Sequence, residues 1–130
     1  MTGNKFVIDS SAWIEYLRGT VKGKKISLLI EDTKNSILTP NIVSVETISK
    51  IAREKGDVEG TINAILNLSL PPTESRQDYV NAGLKHARLK KIHKNISMPD
   101  AIILTLAEKN NAKIVTLDHH LKGKNTVFLN

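Results

Sequence analysis

Two short apolar runs, KFVID at residues 5–9 and KIVTLD at 113–118, each end on an aspartate, and the chain between them carries several stretches of helical apolar spacing. Strands separated by helices can share a sheet only through crossovers, which make neighbouring strands parallel and put helices on both faces. The pattern therefore predicts an α/β chain, a three-layer α/β/α domain around a central, mainly parallel sheet of four to five strands. A length of 130 residues suits one core, so a single domain over 1–130 is expected.

Along the chain, KFVID reads as a buried strand, and SSAWIEYLRG as a short helix capped by Ser10 or Ser11 and stopped by Gly19. A helix near 23–33 precedes a second strand, SILT at 36–39, which Pro40 stops. In NIVSVETISKIAREKG, Ile42, Val45, Ile48, Ser49 and Ala52 fall at helical spacing, with Gly56 closing the helix. A helix over 57–66 follows, and the apolar run NLSLPP is a candidate third strand. A long helix over 74–92 leads by a loop into SMPDAIILTLAEKN, with Pro99 in its first turn and Asn110 and Asn111 at its end. KIVTLD and TVFLN (126–130) close the chain as strands. Trp13, Ile14 and Leu17 are expected to pack on the sheet, although the same residues could form a patch for a protein partner.

In open parallel sheets, sites form at the carboxyl ends of the strands, which is where Asp9 and Asp118 stand. Asp100 opens the helix that leads to the strand ending at Asp118, and Glu46 lies early in the helix after the second strand, so both can reach the same rim. Apolar or small residues flank all four (VIDSS, SVETI, MPDAI, TLDHH), unlike Glu31, Asp32, Glu54, Asp57, Glu59 and Glu108 in their polar surroundings. Each has a plain alternative: the three aspartates can cap a helix or turn, and Glu46 can favour the positive end of its helix. Those roles do not explain four acids on one side of one sheet. Gathered carboxylates repel, so they either take up protons or surround a cation. With no cysteine in the chain, hard oxygen donors favour Mg²⁺ or Mn²⁺ over zinc. Asp118-His119-His120 is a weaker zinc fragment, because adjacent histidines on a short turn do not readily face one ion.

Lys and Arg outnumber Asp and Glu by 19 to 13, a net charge of +6, so the surface field attracts polyanions such as nucleic acid. KHARLKKIHK, residues 85–94, concentrates five of these bases without an acid, and VKGKK and KGK are smaller clusters. Lys85, Arg88, Lys90, Lys91 and Lys94 are thus candidate phosphate contacts, with a solvated helix face as the plain alternative. Aromatic residues make up only 4% of the chain, which argues against a base-stacking platform. MTGNKFVID lacks the apolar core of a secretion signal, and no run approaches the roughly 20 apolar residues of a membrane span. Together with the absence of cysteine, this predicts a cytoplasmic protein with no membrane association.

VIDSSAWIEYL, SVETISKI, SMPDAIILTLAE and IVTLDHHL resemble, in order and approximate spacing, the four acidic motifs of PIN-domain ribonucleases. The resemblance spans nearly the whole chain and is nearest to the small VapC-like toxins of type II toxin–antitoxin pairs. It implies a divalent-metal-dependent ribonuclease in which Asp9, Glu46, Asp100 and Asp118 form the catalytic, Mg²⁺- or Mn²⁺-binding site. Ser10 and Thr116 would be the small polar residues that position substrate. It further implies cleavage leaving a 5′-phosphate and a 3′-hydroxyl, an RNA substrate, an antitoxin protein as partner, and a homodimer. One departure is visible: where many relatives follow the fourth acid with a further Asp and Phe, this chain has His120 and Leu121.

The chemistry agrees with the residue types, because phosphodiester hydrolysis needs an activated water and neutralisation of developing charge. Asp9 and Asp100 are expected as the most direct ligands, with Glu46 and Asp118 completing the site or acting through water. Receiver-type and haloacid-dehalogenase-type domains share the layered shape, but IDSSA offers neither their paired acids nor Asp-x-Asp. A nuclease of ribosomal RNA processing and a non-catalytic RNA- or protein-binding module of the same fold stay open as alternatives.

Overall fold

The computed structural model describes residues 4–121, 123 and 126–128, with only the backbone of Phe128. Among the described residues, four strands, β1 (Lys5–Ile8), β2 (Ser36–Leu38), β3 (Lys113–Thr116) and β4 (Thr126–Phe128), form one sheet in the order β2-β1-β3-β4, and every pairing is parallel. The described α-helices connect them: α1 (Ser10–Arg18) and α2 (Val21–Ile30) after β1, then α3 (Asn41–Arg53), α4 (Val58–Leu68), α5 (Arg76–Lys90) and α6 (Met98–Lys109) between β2 and β3. Successive strand side chains face opposite ways, yet Phe6, Val7 and Ile8 are all buried, so helices cover both faces of β1. α1 packs on α2 and α3, α3 on α4, α5 on α6, and α6 on β1 and β3. This is the layered α/β architecture anticipated from the sequence. Among the described residues, no helix is long and apolar enough to cross a membrane.

Several local expectations shift. The cap of α1 is Asp9, whose carboxylate accepts the Ser10 N–H; the two serines sit inside the first turn. Gly19 does end that helix, in the left-handed conformation at φ 65°. α2 starts two residues earlier than expected, and a Cβ on its Gly23 would lie 2.0 Å from the Glu15 carbonyl oxygen, so only glycine allows the two helices this approach. On α3 the buried stripe is Val43, Thr47 and Ile51, and Val45 is 63% exposed. Apolar spacing alone located the helix but not its inward face, which contact with α1 and α4 decides. Lys55, rather than Gly56, takes the left-handed turn after α3, at φ 57°. NLSLPP is not a strand: α4 runs through Leu68, and Leu70 makes a single parallel bridge to Leu38. The strand at TVFLN covers 126–128; residues 129 and 130 lie outside the described residues, as do Lys122 and Lys124 of the KGK cluster.

Trp13 and Ile14 lie in the core, and Leu17 is half-buried. The Trp13 Nε1–H donates to Thr39 Oγ1 at 3.0 Å, the Thr39 hydroxyl to Ser69 Oγ at 2.8 Å, and the Ser69 hydroxyl to the Ile65 carbonyl at 2.7 Å. This relay satisfies every buried polar atom it contains while tying α1 to the end of β2 and to α4. It leaves α1 fixed just behind Asp9.

Candidate active site

The register of the two central strands builds the site. Ile8 pairs with Val115, so Asp9 and Thr116 are the next residues out of adjacent parallel strands. The Thr116 hydroxyl donates to Asp9 Oδ2 at 2.7 Å and accepts the Asp118 N–H at 2.9 Å. Ser11 Oγ donates to Asp9 Oδ2 at 3.0 Å and accepts the Leu117 N–H at 3.0 Å, a second tie across the same seam. Asp9 thus accepts three hydrogen bonds, two on Oδ2 and one on Oδ1, which leaves Oδ1 with capacity for one more partner. Although Asp9 is only 4% exposed, no base among the described residues pairs with it.

Asp100 comes from the first turn of α6. Its Oδ2 accepts the Ser97 N–H at 3.0 Å while Ser97 Oγ accepts the Asp100 N–H at 3.1 Å, a reciprocal cap that fixes the carboxylate over the helix terminus. Its Oδ1 accepts nothing from the described residues. Glu46 is different in kind. It lies beyond the first turn of α3, where no acid stands, so the helix terminus does not explain its presence. Half-buried, it makes no hydrogen bond or ion pair with the described residues.

Charge ties these groups together. Burial pushes the Asp9 carboxyl above its ordinary range, against the lowering effect of its hydrogen bonds, and the Asp100 charge adds to the rise. Glu46 is raised by burial and then by the negative fields of Asp9 and Asp100. Asp118 completes the rim: Asp100, Asp118 and His120 offer donor atoms that all lie within 4.8 Å of one another. Asp9 and Glu46 stand outside that tighter group. The four acids chosen from sequence therefore gather at one end of the sheet, and among the described residues no Lys or Arg pairs with any of them. Their capping roles are real as well: Asp9 caps α1, Asp100 caps α6, and Asp118 Oδ1 accepts the His120 N–H at 2.8 Å. Carboxylates with open lone pairs and no Lys or Arg partner among the described residues fit a hard divalent ion such as Mg²⁺ or Mn²⁺.

The auxiliary residues divide. Thr116 is wholly buried under Asp9 with its hydroxyl committed at both ends, so it orients the acids and presents nothing to a substrate. Ser10 is half-buried and lines a groove of about 350 Å³ between α1 and α3, together with Ile14, Val45, Glu46, Ser49, Lys50 and Arg53. In the basic run, Lys85 is bound to both oxygens of Glu108, at 2.9 and 3.0 Å, and Lys90 reaches the Ile96 carbonyl at 3.4 Å. Arg88, Lys91 and Lys94 are exposed. The sequence offers Ser11 only as a helix cap and does not single out Lys50 or Arg53. The last two follow Glu46 by four and seven residues, which is one helical face and a legible signal once Glu46 is singled out.

A family profile described as PIN domain matches residues 6–125. A search of curated protein sequences finds no match. Among solved structures, the chain is similar to VapBC-1 from nontypeable Haemophilus influenzae, with a TM-score of 0.67 and 20% identity over 90% of this chain and 89% of that one. VapBC2 from Rickettsia felis, bound to a DNA fragment from its promoter, gives a TM-score of 0.66 and 16% identity over 88% and 87%. VapC20 from Mycobacterium tuberculosis, a toxin that cleaves the sarcin-ricin loop, gives 0.66 and 18% over 83% and 85%. At these identities the likeness is one of fold.

Proposed function

The chain belongs to the PIN-domain family, and from that premise we propose that it is a divalent-metal-dependent ribonuclease, the toxin of a toxin–antitoxin pair. One observation carries the reading: buried and half-buried carboxylates meet at the rim with no Lys or Arg among the described residues to neutralise them, an arrangement that costs stability unless an ion occupies it.

In this reading Asp9, Glu46, Asp100 and Asp118 hold the ion, Mg²⁺ or Mn²⁺. When bound, such an ion supplies a water that is nucleophilic at neutral pH and offsets charge on the phosphate and the leaving oxygen. The protein's own contribution is placement. Ser11 and Thr116 lock the Asp9 carboxylate, the Ser97 cap locks Asp100, and Ser10 sits where a strand entering the groove would pass. Lys50 and Arg53, further along that groove, would hold flanking phosphates, with the exposed Arg88, Lys91 and Lys94 as a second, outer set. Solved relatives that are toxin–antitoxin complexes support an antitoxin as protein partner. Val21 and Leu28, exposed on α2, offer apolar surface for it or for a second copy in a homodimer. The family fold is consistent with action in the cytoplasm.

The test is cleavage of a labelled structured RNA by the purified protein in EDTA, Mg²⁺ or Mn²⁺, with Asp9→Asn beside the wild type. Cleavage that needs the ion and disappears in a folded Asp9→Asn is the expected result. Cleavage that survives in EDTA or in the variant would refute the assignment, and a protein that neither cleaves nor binds metal would be a non-catalytic module of this fold.

A further inference from the structure

We propose that His120 gives this metal site a nitrogen donor and thereby a preference for Mn²⁺ over Mg²⁺, an inference that rests on the metal-dependent reading above. The residue follows β3 in a short 3₁₀ turn, His119–Leu121, and Asp118 grips it twice. Asp118 Oδ1 accepts the His120 backbone N–H at 2.8 Å and lies 3.2 Å from His120 Nδ1. That double contact folds the imidazole back onto the carboxylate rim. Its donor atom there stands within 4.8 Å of donors from both Asp118 and Asp100, close to the roughly 4.2 Å that separates opposed ligands around one small divalent ion. The turn brings one histidine into the group, so the steric objection to adjacent histidines sharing an ion does not apply.

A neutral imidazole keeps a lone pair on one nitrogen in either tautomer. Asp118 beside Nδ1 fixes the orientation of the ring at the rim, with Nδ1 on the carboxylate side. The motif resemblance puts a further aspartate where this chain has His120. Exchanging a hard, charged oxygen for a neutral, softer nitrogen removes little from Mn²⁺, which accepts imidazole. It removes more from Mg²⁺, which demands oxygen ligands in near-ideal octahedral geometry. His120 is exposed, so its replacement does not disturb the core.

The experiment uses the full chain with Mn²⁺ and Mg²⁺ as probes. Affinities for both ions are measured by calorimetry on wild type, His120→Asp and Asp100→Asn, and the electron spin echo of bound Mn²⁺ is examined for coupling to nitrogen-14. The expected result is a nitrogen-14 modulation in the wild type that vanishes in His120→Asp, together with an Mn²⁺-to-Mg²⁺ affinity ratio that falls about tenfold. Mn²⁺ binding that Asp100→Asn abolishes, but without nitrogen coupling or with an unchanged ratio in His120→Asp, would overturn the role of His120 and leave the nuclease reading intact. Absence of binding by either ion to folded wild type would overturn both.

Discussion

The helices α5 and α6 begin with the same device, and only one of them contributes to the rim. Ser75 and Asp78 cap each other's backbone at 2.8 and 3.2 Å, as Ser97 and Asp100 do at 3.0 and 3.1 Å. The two aspartates are almost equally buried, at 8% and 7% exposure. Their surroundings differ completely. Asp78 Oδ2 also meets Lys109 Nζ at 2.6 Å, and that bond holds its carboxyl below the usual range. Asp100 faces Asp9, Glu46 and Asp118 with one oxygen unclaimed among the described residues. A capping box is a local solution to unsatisfied backbone N–H groups. Whether its acid is spent on structure or kept for chemistry depends on what the rest of the fold brings to it.

The largest effect should separate these twins. Asp100→Asn can still accept the Ser97 N–H, so the helix keeps its cap while the proposed ion loses a charged ligand. Metal affinity should fall by more than the roughly 10–100-fold typical of an outer-shell change, and cleavage should fall with it, at an unchanged or higher unfolding temperature. Asp78→Asn should do the reverse, lowering the thermal midpoint by a few degrees with metal affinity intact. Calorimetry and thermal unfolding on the same two variants decide the matter. Equal loss of metal binding in both would mean that Asp100 acts only as a cap.

The pair also shows what the sequence could carry. TESRQD and SMPD both display the Ser-x-x-Asp signature, and nothing within either fragment distinguishes them. Asp100 stands out because its helix leads into the predicted strand ending at Asp118, and the strand-and-helix alternation already implies a rim. Fold class and the convergence of the four acids on one rim are therefore readable as long-period information. The inward face of α3 is not, because Val45 and Val43 have the same character and only packing against α1 and α4 ranks them. His120 is visible as a ligand type, but its reach to Asp118 depends on a 3₁₀ turn that residue spacing does not specify. NLSLPP fails as a strand for a similar reason: its apolar residues finish α4 and lend one bridge to β2.

The same contrast between spent and available groups applies to the bases. Lys85 and Lys109 are tied to Glu108 and Asp78. Along the groove and among the described residues, Lys50 has only a 3.5 Å approach to the exposed Glu54, and Arg53 only a 3.3 Å bond to Ser49. Replacing Lys50 and Arg53 by Ala should weaken RNA binding several-fold and reduce the slope of log affinity against log salt by about 0.7 for each phosphate that is no longer neutralised. Lys109→Ala should leave that slope unchanged. Salt titrations of binding to a labelled RNA test this, and a reduced slope in Lys109→Ala with none in the groove variant would move the nucleic acid to the α5–α6 face.

The smallest effect distinguishes the acids by the sign of their pH dependence. Asp78 titrates below the ordinary aspartate value of 3.8, so its stabilisation is present above that pH and is lost as the pH falls further. Asp9 and Glu46 titrate above their ordinary values of 3.8 and 4.5, so between those values and the raised ones the folded chain holds more protons than the unfolded one. Stability contributed by that uptake declines as the pH rises through the raised range. In EDTA, the unfolding midpoint in urea should therefore drop gently from about pH 4 towards neutrality. Asp9→Asn with Glu46→Gln should flatten that decline, and so should saturating Mn²⁺, since a bound cation replaces the proton as the neutralising partner. A decline that persists unchanged in the double variant would mean that the rim acids are not its source. Flattening by the variant but not by the ion would mean that the cation sits elsewhere.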